Sequence, residues 1–315
     1  LIWAEEMEKG TFGMDTVITA TARANAMDGS VIWLNVGEEM SAYDMIRSVV
    51  IASANDACVA VCEYITGTEE MFVERMNKRA QELGMSDTHY DNCVGFDSDT
   101  HYTSAYDTAL LSAAVSEYDC YNEFFATRLD YVREGERQTQ LLNTNKLMQR
   151  YDGIIGGKTG TTDKAGCCLA VWAKRGNMKL CAVALGCKES EQRFTACTDL
   201  LNYGFSGFEL YRTAVESDVL TPVTVTEGLE KQADIRVKRL NTIVIPKGSS
   251  KRIEYTHTVV DSLSAPVQYG EKVGEVRASL DGEEIFYSDI VTTGEVGELN
   301  FFSSLLIIIR RFFSM

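Results

Sequence analysis

Two apolar segments, residues 168–174 and 178–185, are separated by only Arg175-Gly176-Asn177. A connection this short predicts that the two segments are antiparallel strands, because parallel strands need a long crossover. Helical patterns precede the pair, and a further helix is predicted from about residue 189 to 203. Helices inserted between the strands of one antiparallel sheet predict an α+β domain.

The stretch from residue 41 to 117 carries the helical pattern. Ser41 can cap a helix over 44–50, and Thr68 precedes another with apolar residues at helical period. A helix is also predicted over 57–64, and the segment TSAYDTALLSAAVSEY combines a Ser/Thr start with a helical stripe. Downstream, the sequence predicts short strands around 129–132 and a helix over 143–149.

The chain changes character near residue 210. All nine cysteines lie between Cys58 and Cys197, whereas all three prolines follow residue 220. The later stretch is rich in Val, Thr and Ile with alternating polarity, and turns are predicted at 247–249 and 281–282. The expected domains are therefore 1–210, which is α+β, and 211–298, which is all-β.

Residues 299–315 are predicted to form an amphipathic helix. Its apolar side chains recur at helical spacing, and serines and arginines gather opposite them. The segment is too short and too charged to span a bilayer, which needs about 20 apolar residues. It suits a helix lying on a membrane surface. A core helix or a truncated membrane span is the alternative.

The composition excludes several classes of function. A formal net charge of −16 argues against nucleic-acid binding, which needs a basic surface. The three histidines lack the spacing of zinc ligands, so we predict neither a metal site nor a cofactor. The cysteines contain no Cys-x-x-Cys pair, which favours small buried hydrophobic residues over a disulfide framework.

Two short motifs indicate chemistry when they are taken together. Lys158-Thr159-Gly160 lies in GGKTGTT between strand-like segments, where no helix follows as a phosphate loop would require. Alone, it could be an ordinary turn. Ser53-Ala54-Asn55 lies between two predicted helices, and alone it could merely cap the second. The pair matches the second and third motifs of the penicillin-recognising serine enzymes, whose set is Ser-x-x-Lys, Ser-x-Asn and Lys-Thr-Gly.

Longer stretches extend this resemblance. The segments GEEMSAYDMIRSVVIASANDACVAVCEYITGTEEMFVERMNKRAQELGMSDTHY, HYTSAYD and LLNTNKLMQRYDGIIGGKTGTT resemble the serine D-alanyl-D-alanine carboxypeptidases, the low-molecular-weight penicillin-binding proteins. The similarity covers roughly residues 1–210. It implies a penicillin-recognising serine transpeptidase/β-lactamase-like domain, followed by the family's small all-β domain and C-terminal amphipathic helix.

The resemblance implies an acyl-enzyme mechanism that removes the terminal D-alanine of peptidoglycan stem pentapeptides. Lys158 and Thr159 would bind the carboxylate of that D-alanine, because a fixed cation and a hydroxyl suit it. Gly160 would leave room for the peptide beside the strand. The N–H of Thr161 would complete the oxyanion hole.

Three further residues receive roles from the same resemblance. Ser53 would relay a proton towards the departing amine, since a hydroxyl both donates and accepts. Asn55 would hydrogen-bond the amide of the peptide and position the catalytic lysine. Arg193 would assist carboxylate binding, although an arginine on a helix surface with no such role is the alternative. His101 is expected to have a structural rather than a catalytic role.

The chain departs from the family at its first motif. No Ser-x-x-Lys occurs in the 315 residues. We expect the nucleophile and its lysine base one or two helical turns before Leu1, so that the chain as given is inactive. The expected partners are the peptidoglycan stem peptide, β-lactam antibiotics and the outer face of the cytoplasmic membrane, which the protein would bind peripherally in an extracytoplasmic location.

Three other functions stay open from the sequence. A serine β-lactamase shares the three motifs but would need a glutamate-activated water. A non-catalytic module that binds envelope peptides fits a chain without the nucleophile. A cysteine hydrolase would use Cys93 with His89 or His101.

Overall fold

The computed structural model describes residues 1–215 and 220–300. The chain divides into two compact units, Leu1–Phe205 and Ser206–Met315. The first unit combines helices with antiparallel sheets, which confirms the predicted α+β class, and the described part of the second is built from strands. Most of the amphipathic helix predicted over 299–315 lies outside the described residues, and the predicted domain limits stay predictions.

Three helices of the first unit begin where their capping residues predict. Ser41, Thr68 and Ser104 each accept a hydrogen bond from the backbone N–H three residues later. Each such cap is worth about 1 kcal/mol, because it satisfies a donor that the helix leaves unpaired. The helices are α1 (Ile2–Glu8), α2 (Ala22–Asn25), α3 (Ala42–Ala52), α4 (Asn55–Thr66), α5 (Glu69–Glu82), α6 (Ala105–Val115), α7 (Asn122–Ala126), α8 (Leu147–Arg150) and α9 (Ser190–Gly207).

The strands of this unit pair with their sequence neighbours. Two small antiparallel pairs are β1 (Val17–Thr19) with β2 (Glu39–Ser41) and β3 (Leu129–Val132) with β4 (Thr139–Leu142). The larger sheet is antiparallel in the order β5–β6–β7, formed by β5 (Ile154–Thr162), β6 (Gly166–Arg175) and β7 (Met178–Cys187). The predicted antiparallel pair is thus confirmed as β6 and β7.

The larger sheet lies between two layers of core side chains. Leu169 and Val171 of β6 are buried in a cluster with Phe194 of α9. Trp172 points to the other face, where it packs edge-on against Phe125 with the ring centroids 5.0 Å apart. This alternation is the period of two that a strand imposes, and it requires apolar residues on both faces of β6.

Two segments that were predicted to be helical fold differently. Of the helix predicted over 143–149, only residues from Leu147 onwards are helical, because the side chains of Asn143 and Asn145 accept the N–H groups two residues ahead. Such local bonds compete with helical ones. The stretch between α5 and α6 forms no helix. There, Asn92 Oδ1 accepts the N–H groups of residues 94–96.

The second unit contains three sheets in its described part. One is formed, in spatial order, by residues 235–237, 283–292, 272–280 and 253–259, a second by 232–233, 223–226 and 262–264, and a third by 242–246 and 208–212. The turn predicted at 281–282 is confirmed, since Asp281 and Gly282 both have positive φ, as a tight hairpin requires. The strands are β8 (Phe208–Arg212), β9 (Val223–Thr226), β10 (Gln232–Ala233), β11 (Ile235–Val237), β12 (Thr242–Pro246), β13 (Ile253–Val259), β14 (Ser262–Ser264), β15 (Lys272–Leu280) and β16 (Glu283–Thr292).

None of the helices within residues 1–215 and 220–300 is both long enough and apolar enough to cross a membrane.

Candidate active site

The turn between α3 and α4 presents Ser53 in an uncommon backbone conformation. Ser53 ends α3 with φ 62° and ψ 38°, the left-handed region that a residue with a side chain seldom adopts. Asn55 begins α4 only two residues later. Holding a residue other than glycine in this conformation costs on the order of 1–3 kcal/mol, which its surroundings must supply.

A buried carboxylate holds this turn in place. Asp56 is 2% exposed, and its oxygens accept the backbone N–H groups of Ile32, Leu34 and Ala57 at 2.9–3.1 Å. Three such donors satisfy the hydrogen-bonding capacity of a carboxyl group that is hidden from water. Sequence reasoning missed Asp56. Its position directly after Ser-x-Asn, in the first turn of a helix, is the signal that could have identified it.

Asn55 is fixed by contacts with the loop after α2. Its backbone N–H donates to the carbonyl of Ser30 at 2.7 Å, and its side-chain Nδ2 donates to the carbonyl of Asp28 at 2.8 Å. The amide N–H₂ group is thus engaged by the protein. The carbonyl oxygen Oδ1 is then the atom through which Asn55 can accept a hydrogen bond from a ligand.

Lys158 connects the strand motif to the helical turn. It lies in β5, at the edge of the three-stranded sheet, and its Nζ donates to Ser53 Oγ at 2.7 Å and to the carbonyl of Thr159 at 2.9 Å. The structure therefore brings together Ser53 and Lys158, which lie far apart in the sequence. Desolvation lowers the pKa of Lys158 to about 8, and the nearby Arg193 cation acts in the same direction.

Thr159 and Gly160 have opposite surroundings. Thr159 is 8% exposed, and its hydroxyl lies 2.6 Å from the hydroxyl of Thr144. Gly160 is exposed, and no heavy atom lies within 4 Å of the position that a Cβ would occupy. Gly156, by contrast, is packed against Trp172, whose ring would be 2.2 Å from a Cβ. The glycine of the Lys-Thr-Gly motif therefore faces open space, whereas Gly156 has a packing role.

Arg193 joins α9 to the end of β5. Its Nη1 donates to the carbonyl of Gly160 at 2.9 Å, to Thr161 Oγ1 at 3.0 Å and to the carbonyl of Cys168 at 3.2 Å. Only 8% of the residue is exposed. These contacts hold the end of β5 against β6. Thr161 Oγ1 in turn donates to the carbonyl of Gly160 at 2.8 Å.

The histidines next to the site make local contacts. His101 Nδ1 accepts the backbone N–H of Asp91 at 3.2 Å, and burial lowers the pKa of His101. His89 Nε2 lies 3.2 Å from an oxygen of Asp91. The thiol of Cys93 contacts Glu69 at 3.5 Å. These contacts favour the structural role predicted for His101 and give no support to a Cys–His pair.

Comparisons with known proteins agree on one family. The profile described as D-alanyl-D-alanine carboxypeptidase, family S11, matches residues 1–189, and the profile of the penicillin-binding protein 5 C-terminal domain matches residues 208–298. The chain is 34% identical over 307 residues to D-alanyl-D-alanine carboxypeptidase DacF of Bacillus subtilis, covering 97% of this chain and 79% of that protein. It is 30% identical over 289 residues to DacC of Escherichia coli, covering 90% and 70% respectively.

A solved structure has the same architecture. Penicillin binding protein 5 from Haemophilus influenzae superposes with a TM-score of 0.82 at 27% sequence identity, over 94% of this chain and 87% of that one. The predicted fold, with its all-β C-terminal domain, is confirmed by this similarity.

The environment of Lys158 predicts a dependence of stability on pH. The folded-state pKa of about 8 lies below the ordinary value of 10.5, so the charge costs stability at pH 7 and the cost disappears as the pH rises from about 8 to 10.5. Relative to Lys158→Met, the wild-type free energy of unfolding should rise by about 1–3 kcal/mol across that window. Urea denaturation at pH 7, 8.5 and 10 measures it. If the difference in free energy of unfolding between the wild type and Lys158→Met stays constant across this pH range, the charge of Lys158 is not desolvated.

Proposed function

The chain belongs to the S11 family of D-alanyl-D-alanine carboxypeptidases, and we propose that Lys158 and Ser53 form the centre of its binding site for the D-alanyl-D-alanine end of a peptidoglycan stem peptide. The observation that carries the proposal is the 2.7 Å hydrogen bond from Lys158 Nζ to Ser53 Oγ. It joins two family motifs at one point of the first unit. The terminal D-alanine supplies the carboxylate that such a cation can bind.

Lys158 and Thr159 are the proposed carboxylate ligands. With a pKa of about 8, Lys158 is mostly protonated at pH 7 and can form a charge-assisted hydrogen bond. The Thr159 hydroxyl is paired with that of Thr144. If Thr144 donates in this pair, Thr159 keeps its own proton for the carboxylate. Thr144 is thus a proposed positioning residue.

The exposed edge of β5 is the proposed position of the peptide backbone. β5 is the first strand in the order β5–β6–β7, so its outer edge can pair with an extended peptide. Gly160 leaves space there. The N–H of Thr161 would contribute to the oxyanion hole, and Asn55 Oδ1 would accept an N–H of the peptide. Arg193 would act by holding the carbonyl of Gly160 rather than by direct contact.

Ser53 is the proposed proton relay. Its hydroxyl oxygen accepts a hydrogen bond from Lys158 Nζ, which leaves the hydroxyl hydrogen free to be donated. In the direction of peptide cleavage, that hydrogen would go to the nitrogen of the departing D-alanine, and Lys158 could replace it. Such a transfer contributes typically 10²–10⁴-fold to the rate.

The covalent step needs a nucleophile that these 315 residues do not supply in a Ser-x-x-Lys motif. We therefore propose that the site around Lys158 and Ser53 binds and orients the peptide. Acylation would depend on a serine that is not part of this site. The same cleft would bind β-lactams, which the family's penicillin-binding members are named for. For the chain as given, binding without catalysis is the second candidate function.

The carboxylate contact predicts a selective loss of binding in Lys158→Ala. The variant should bind an N-acylated peptide ending in D-Ala-D-Ala roughly 10–100-fold more weakly, the equivalent of about 1.5–3 kcal/mol for a hydrogen bond to a charged group. Binding of the same peptide with a C-terminal amide should change little. Isothermal titration calorimetry at pH 7 measures both.

Two variants complete that experiment. Lys164→Ala is the matched control, since Lys164 is exposed after β5 and is paired with Asp99. Gly160→Ala should fold normally, because its Cβ would meet no atom, and yet bind the peptide more weakly. The carboxylate assignment would be ruled out if Lys158→Ala lost the same affinity for the peptide acid as for the peptide amide. It would also be ruled out if Lys164→Ala lost as much affinity for the peptide acid as Lys158→Ala does.

The missing first motif predicts that the 315-residue chain forms no covalent penicillin adduct. Intact-mass spectrometry after incubation with benzylpenicillin should show the unmodified mass, because acylation needs an activated nucleophile. The relative D-alanyl-D-alanine carboxypeptidase DacF of Bacillus subtilis serves as the comparison protein. A stable adduct on this chain would identify another nucleophile and overturn the mechanism.

We also propose an extracytoplasmic location, where peptidoglycan lies, with residues 299–315 as a peripheral anchor. The support is the sequence pattern, which places large apolar side chains opposite serines and arginines. Two arginines near anionic headgroups would add roughly 1 kcal/mol each.

The proposed anchor predicts sedimentation with anionic liposomes that depends on the apolar positions. Removing residues 300–315, or introducing Ile308→Glu with Phe312→Glu, should abolish pelleting because both changes remove apolar contacts with the bilayer. Ser304→Glu with Ser314→Glu adds the same charge on the predicted polar side and should retain most of the binding. Equal pelleting of all forms would exclude the anchor.

A further inference from the structure

Three cysteines of the first unit converge on one point. Cys58 and Cys62 lie one turn apart on α4, and Cys93 lies in the loop between α5 and α6. Their Sγ atoms are all within 4.8 Å of one another, and this is the one such group of possible metal ligands in residues 1–215 and 220–300. Cys62 is fully buried, whereas Cys58 and Cys93 are partly exposed. We name these residues the thiol triad.

We propose that the thiol triad is a binding site for a thiophilic divalent cation of the zinc and cadmium class. A metal–sulfur distance near 2.3 Å places the sulfurs of such a site about 3.8–4.0 Å apart. The observed separations need only a small contraction to reach that spacing. Ligands made solely of thiolates select soft metals over the oxygen-seeking ions magnesium and calcium.

The helical spacing of the triad favours a metal over a disulfide between its first two members. Side chains at i and i+4 of a helix have Cβ atoms about 5–6 Å apart, whereas a disulfide needs about 3.5–4.5 Å. Cys58 and Cys62 could therefore form a disulfide only by distorting α4. A metal ion spans the longer distance without moving the backbone.

Neighbouring groups support the binding chemistry. The backbone N–H of Cys93 donates to Glu69 Oε1 at 3.3 Å, and the other oxygen of Glu69 accepts two bonds from Arg23 at 2.7 and 2.9 Å. The carboxylate thereby fixes the loop that carries the third thiol, and Arg23 balances its charge. Ligands held by such outer contacts bind metals more tightly.

Metal binding by the triad would be coupled to proton release. Binding of a divalent ion would displace the three thiol protons into solvent, leaving three metal–sulfur bonds and a complex of charge −1. No oxidant or reductant takes part. A cavity of about 230 Å³ borders all three cysteines and offers room for a water as fourth ligand.

The sequence predicts no metal site, because its three histidines lack the spacing of zinc ligands. The triad escaped that reasoning because its ligands come from a helical i, i+4 pair and a distant loop. The proposal is independent of the carboxypeptidase assignment, since it uses none of the residues that would bind the peptide.

Cadmium titration of the reduced, full 315-residue chain under anaerobic conditions tests the proposal. The sulfur-to-cadmium charge-transfer absorption should grow linearly and saturate at one equivalent, with release of protons into a weakly buffered solution. Zinc should compete for the same equivalent. The melting temperature should rise with free cadmium, as for any ligand that binds the native state.

Cysteine variants identify the ligands. Cys62→Ser and Cys93→Ser should each weaken binding by more than the roughly 10–100-fold that the loss of an outer contact costs. Cys197→Ser is the matched control, because Cys197 is equally buried on a helix but lies outside the triad. Cys187→Ser is a second control, because Cys167 and Cys187 lie opposite each other on β6 and β7. It tests whether cadmium binds to that pair instead of the triad. If Cys62→Ser does not fold, Cys93→Ser still tests the proposal, because Cys93 lies in a loop.

Three results would overturn the proposal. One is a titration without saturation near one equivalent, and another is a loss of binding in Cys197→Ser or Cys187→Ser as large as in the triad variants. The third is a reduced chain that binds no cadmium but, on exposure to air, forms a disulfide between Cys93 and either Cys58 or Cys62. That result would give the triad a redox role instead of a metal-binding role.

Discussion

The desolvated charge of Lys158 is the constraint on which the site depends. An ammonium group placed between a sheet edge and a helical turn loses hydration, which lowers its pKa to about 8. Its hydrogen bonds to Ser53 and to the carbonyl of Thr159 compensate only part of that loss. An anionic ligand would supply the missing stabilisation, and we propose that the terminal carboxylate of the stem peptide is that ligand. This is electrostatic preorganisation, in which folding meets the cost before the ligand arrives.

Several other features keep the two sides of this contact in position. Asp56 fixes the turn that carries Ser53 through three backbone N–H groups, and Arg193 holds the end of β5 against β6. Asp56 and Arg193 can therefore contribute to the site by positioning it, without direct contact with a ligand. The left-handed conformation of Ser53 indicates that the turn is held against local strain, which is common at functional sites.

The sequence predicted those parts of the structure that depend on local rules. Helix starts at Ser41, Thr68 and Ser104 followed from capping, and the pair β6 and β7 followed from its short turn. The helix predicted over 143–149 was wrong in extent because the side chains of Asn143 and Asn145 accept the backbone N–H groups two residues ahead instead. The family resemblance brought Ser53 and Lys158 into one site, which no periodicity could have done. Thr144 and the thiol triad were missed because their significance arises only from contacts between separate segments, whereas Asp56, directly after Ser-x-Asn, had a signal in the sequence.

A crystal structure of the chain with an N-acylated peptide ending in D-Ala-D-Ala would test the central claim most directly. The account predicts that the terminal carboxylate lies within about 3 Å of Lys158 Nζ, a charge-assisted hydrogen-bond distance, and contacts Thr159 Oγ1, with the peptide beside β5. A peptide bound with its carboxylate away from Lys158, while the hydrogen bond between Lys158 and Ser53 is unchanged, would contradict it.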